Sequence, residues 1–135
     1  MRRLISLTLV VVLGLAVASC GGDDASDEPL VFGEGEIPST FPDDFPIPPG
    51  SVIGSTLVDR VNNRSEASLR VPADMVSTVQ YFTVGLVNEG FVIDLSEGSA
   101  AEWTLKFSDG GMTGLIKVSG TASGLSLAVV TLNQP

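Results

Sequence analysis

The sequence predicts an α+β domain over residues 50–135. Its architecture is an antiparallel sheet of about five to six strands with one helix packed on one face, in ββαβββ(β) order. Three observations carry this. Met75, Val79, Phe82 and Leu86 recur at helical spacing between a start signal and a stop signal. Period-two alternation lies on either side of that segment. Asp109-Gly110-Gly111 is a hairpin signature between two alternating runs.

The elements follow in order. Val52 to Val58 and Glu66 to Val71 are rich in β-branched and small residues and read as strands joined across Val61-Asn62-Asn63-Arg64, a turn composition. Pro72 and Asp74 then open a helix, since proline suits the first turn and aspartate can accept bonds from the unpaired N–H groups there. On a helical wheel the four apolar residues fall within about 60° and mark a core-facing stripe. Gly90 ends the helix, and Phe91 is placed for the apolar contact that accompanies such a cap. The β-branched Val76, Thr78, Val84 and Val87 and the internal Gly85 oppose helix propensity, but periodicity and end signals outweigh them. Beyond it, Phe91, Ile93 and Leu95 alternate with Val92, Asp94 and Ser96, and Trp103, Leu105 and Phe107 alternate with Thr104, Lys106 and Ser108. Met112–Ser119 and Leu125–Leu132 supply two further strands.

Upstream, the composition changes. Residues 23–44 carry eight acids and no base, and six of the eight prolines lie between Pro29 and Pro49. Residues 20–49 therefore read as an acidic, Pro-rich flexible tether that cannot bury enough apolar surface to offset its ordering entropy. Within it Phe41, Phe45 and Ile47 alternate with polar or proline positions, so its end is expected to lie against the domain as an extended edge.

The first 19 residues read as a signal peptide: Arg2 and Arg3, then an apolar run from Leu4 to Ala18, shorter than the ~20 residues of a spanning helix. The run ends in Val17-Ala18-Ser19-Cys20-Gly21, which resembles the lipobox of bacterial lipoproteins. That resemblance implies cleavage between Ser19 and Cys20, a diacylglycerol thioether on Cys20, and in many such proteins an N-acyl chain as well. No other cofactor is implied. Two or more acyl chains give stable anchoring, since each buried methylene contributes ~0.8 kcal/mol. The expected location is extracytoplasmic, on the cell membrane. The aspartate that marks inner-membrane retention in double-membrane bacteria is replaced here by Gly21.

Charge and composition narrow the function. A net charge of −9 disfavours nucleic acid, whose phosphates are met by Lys and Arg. The absence of histidine removes Ser–His and Cys–His catalysis, and one cysteine makes neither an internal disulfide nor a thiolate metal site. A Ser–Lys pair using Lys106 or Lys117 stays formally open, although both alternate with apolar neighbours as solvent-facing sheet residues do. Paired carboxylates among Asp59, Glu66, Asp74, Asp94, Glu97, Glu102 and Asp109 are a second enzymatic option, at positions that suit ordinary strand ends and turns. Two features suggest binding. Trp103 is the sole tryptophan, though its register with Leu105 and Phe107 assigns it to the core face. Ser77, Tyr81 and Gly85, spaced by four opposite the core stripe, form with Thr78 and Asn88 a helix face without Lys or Arg, a candidate surface for an envelope protein partner.

Phe45-Pro-Ile-Pro-Pro-Gly50, two strands, then a helix containing Tyr81 and closing with Gly90-Phe91, is similar to small envelope lipoproteins of high-GC Gram-positive bacteria. The resemblance implies compartment and class, with no activity attached. The sequence thus predicts a membrane-anchored, non-catalytic binding or structural module, the alternative being an extracytoplasmic hydrolase.

Overall fold

The computed structural model describes residues 28–135. Among these residues the chain forms β1 (Leu30–Glu34), β2 (Val52–Asp59), β3 (Arg64–Val71), α1 (Met75–Asn88), β4 (Val92–Gly98), β5 (Glu102–Asp109), β6 (Met112–Gly120) and β7 (Ser126–Asn133). All seven strands join one antiparallel sheet in the order β1-β2-β3-β7-β6-β5-β4. The count exceeds the expected five to six because a strand forms inside the acidic, Pro-rich segment. There Leu30–Glu34 pairs with Ser55–Asp59, so main-chain bonding to an existing edge replaces the apolar density that the segment lacks.

Local signals set the helix ends. Asp74 is the N-cap, its carboxylate accepting from the Ser77 N–H. At the other end Gly90 adopts φ +89°, and the Phe91 N–H donates to the Leu86 carbonyl across the turn, at 2.9 Å. Leu86 and Phe91 are both buried, the apolar pair that this left-handed cap brings together. Phe82 and Leu86 are fully buried as the stripe predicts, with Met75 and Val79 partly so.

Alternation decides which strand residues enter the core. Ala67, Leu69 and Val71, then Leu105 and Phe107, Ile116 and Val118, and Ala128, Val130 and Leu132 all point to the helix side. Gly114 is inward for a packing reason: the Phe107 ring lies across it and occupies the space a Cβ would need.

One helix does not cover this face. Seven strands at ~4.8 Å spacing span about 29 Å, whereas a helix is only ~10 Å wide. The helix packs on β4, β5, β6 and β7. Residues 35–50 cover much of the rest as a strap of turns, which corrects both the flexible tether and the extended edge expected there. Thr40 shares a hydroxyl–hydroxyl bond of 2.6 Å with Ser65, and the Gln134 amide donates to the Thr40 carbonyl. Phe41 and Phe45 are only 5% and 6% exposed and belong to the core. Phe45 packs near Phe41, Phe91 and Phe107 at centroid distances of 5.4, 6.5 and 6.0 Å. The aromatic spacing legible in the sequence is therefore a core signal, realised through turns.

Candidate functional site

Ser19 and Cys20, the predicted cleavage and lipidation positions, lie outside the described residues. The helix face expected to receive a partner is present, with two changes. Thr78 does not belong to it. It is 1% exposed and points into the core, where its hydroxyl bonds the buried Ser126 hydroxyl at 2.7 Å. A polar side chain can face inward there because β7 supplies its partner.

The second change concerns the occupant of the face. A Cβ on Gly85 would come within 2.7 Å of Pro46 Cβ, so the missing side chain lets the strap lie directly on the helix. One turn earlier, Tyr81 donates its phenolic O–H to the Ile47 carbonyl at 2.9 Å. Ser77 is committed at the N-cap, its O–H donating to Asp74 at 3.2 Å while its N–H donates to the other carboxylate oxygen at 2.8 Å. The predicted trio is thus brought together along one face, and the chain's own Pro46-Ile47 occupies part of it. A groove of about 530 Å³ remains between Pro46 and the helix, reaching Gln80, Val84 and Asn88.

Trp103 lies on the helix side of the sheet, half-buried against the core, as its register indicated. Its indole N–H donates to Ser96 Oγ at 3.0 Å, and with Met75, Val76, Val79 and Gln80 it lines an apolar recess of about 200 Å³. The strap creates a further recess that sequence reasoning missed. About 380 Å³ lies between it and the inner surface of β1 and β2, lined in part by Val31, Thr56, Val58 and Ile37. The Phe41/Phe45/Ile47 spacing was the available signal for this cover. Its position over β1 was not, because β1 itself was not foreseen.

Four of the seven carboxylate candidates, Asp59, Asp74, Glu66 and Glu102, have partners in turns, a cap or ion pairs. Asp59 closes the β2–β3 turn by accepting from the Asn62 side chain at 2.6 Å and from the Asn62 and Val61 N–H groups. These bonds, the Asn62 side chain foremost, hold its pKa below the usual carboxylate value. Asp74 is likewise lowered, by its bonds from the Ser77 N–H and then the Ser77 hydroxyl. Glu66 pairs with Arg64 at 2.6 Å, and Glu102 lies 3.7 Å from Lys117 across half-exposed side chains. The direct cross-strand neighbours of Lys117 are Thr104 and Val129, and those of Lys106 are Leu115 and Leu95. Among the described residues no group of three His, Cys, Asp or Glu side chains is placed to hold a metal ion.

Comparison with protein-family models, with curated proteins and with solved structures gives no match to this chain.

Proposed function

We propose that this chain is a lipid-anchored extracytoplasmic module, held on the cell membrane through Cys20, that acts by presenting surfaces to a partner in the envelope. The observation that carries the reading is the lipobox-like Val17-Ala18-Ser19-Cys20 at the end of an apolar run, eight positions before Glu28, the first described residue. An acylated cysteine there supplies membrane affinity that the domain need not generate itself. Support for a surface-presenting role comes from the helix. Its 14 residues contain no charged side chain, and Val76, Val84 and Val87 are 70%, 53% and 55% exposed. The two carboxylates with lowered pKa, Asp59 and Asp74, serve a turn and a helix cap, which assigns those shifts to architecture.

The direct test is metabolic labelling with a fatty-acid probe in cells expressing the wild-type chain or Cys20→Ser. Label is expected on the wild type and not on the variant. Equal labelling of both, or of neither, overturns the reading.

A further inference from the structure

We propose that the rim formed by β1 and the β2–β3 turn is the surface that lies on the bilayer, with Leu30, Phe32 and Val61 entering the lipid interface. This rests on the lipid-anchor reading and adds an orientation to it. The folded chain leaves toward Cys20 from this rim. The Arg60 N–H donates to the Pro29 carbonyl at 2.9 Å, and the Arg60 guanidinium donates to the Glu28 carbonyl at 3.1 Å, which pins the exit point beside the turn.

The rim also holds the two most exposed large apolar side chains among the described residues, Phe32 and Val61. Phe32 is 76% exposed, Val61 73% and Leu30 45%. Register places Leu30 opposite Asp59 and Phe32 opposite Leu57, on the sheet face away from the helix, with Val61 in the adjoining turn. Exposed apolar residues grouped in this way mark a contact surface.

The chain path favours this surface. Eight peptide steps separate Cys20 from Glu28 and reach at most about 28 Å. β1 begins two residues after Glu28, so the rim is the part of the described fold next to the path toward the anchor. The helix lies over the far half of the sheet, on β4 to β7, away from that path.

The rim carries Arg60 and Arg64 against Glu28, Glu34, Asp59 and Glu66, a net charge of −2, so apolar contact is the binding term. Arg64 is paired with Glu66, and Asp59 accepts from the Asn62 side chain. Anionic headgroups are therefore not required, and Asp23, Asp24 and Asp27 in the leash would be repelled by them.

The test uses the full chain, held through its own anchor in phosphatidylcholine vesicles containing brominated lipids. Phe32→Cys, Val61→Cys and Val87→Cys are each labelled with a fluorescent thiol reagent. Insertion to ~5–10 Å predicts loss of roughly half the emission at positions 32 and 61, with little change at 87. Adding anionic lipid should not deepen the quenching. The parental chain, treated with the same reagent and floated with vesicles, reads the anchor separately. If it floats and takes up no dye, Cys20 is blocked and membrane-bound. Absence of quenching at 32 and 61, or equal quenching at 87, then overturns the docked orientation while the anchor stands. A parental chain that takes up dye and fails to float overturns both.

Discussion

Replacing Phe45 by alanine separates a strap that belongs to the core from a tether that merely passes by. Phe45 is 6% exposed, and its ring lies near Phe41, Phe91 and Phe107. Truncating a buried phenylalanine costs about 3–5 kcal/mol through lost transfer energy and the cavity left behind. Domains of this size have roughly 5–15 kcal/mol in total, so the variant should fold with much of its margin gone. With a urea slope near ~1.5 kcal/mol/M, the midpoint should fall by about 2–3 M. Unfolding of the full chain in mild detergent can be followed through Trp103, the only tryptophan, which sits half-buried against the core. Phe32→Ala is the matched control: its ring is 76% exposed and its removal should change stability by no more than ~0.5 kcal/mol. A Phe45→Ala midpoint within about 0.3 M of wild type would refute the strap as a core element.

Two further outcomes are expected. Gly85→Leu gains up to ~1 kcal/mol of helix propensity but forces the strap off the helix at Pro46, an overpacking cost of about 1–3 kcal/mol, so the net change should be destabilising. In a Pro46→Gly background that penalty should shrink in urea titrations; an unchanged penalty would show that Pro46 is not what the side chain meets. Asp74 has a lowered pKa in the folded state, so its contribution is fully present above its unfolded pKa and is lost as pH falls through the folded one. Asp74→Asn keeps a capping oxygen without the titration, and its stability should fall less steeply below the usual carboxylate range, as read by unfolding midpoints at a series of acidic pH values.

Short-range geometry is legible in the sequence alone. Strands β3, β5, β6 and β7 alternate within their own length, Asp74 and Gly90-Phe91 cap the helix with atoms from neighbouring residues, and Gly110, at φ +58°, supplies a turn that few other residues adopt without strain. The lipobox-like Val17-Ala18-Ser19-Cys20 is also contiguous, so its resemblance is legible without a fold. Tertiary structure decided the rest. Leu30–Glu34 becomes a strand only because β2, more than twenty positions later, offers it an edge. Thr78 turns inward only because Ser126, 48 residues away, satisfies its hydroxyl. The strap folds onto the sheet because a single helix leaves part of a seven-stranded face open, and Phe41 and Phe45 are the apolar groups within reach to close it. Gly85 looked from its spacing like an open position on a partner face; the same missing side chain is what lets Pro46 pack there. Local pattern fixes an element and the face it can bury, but which distant segment arrives to cover that face is settled only when the whole core packs.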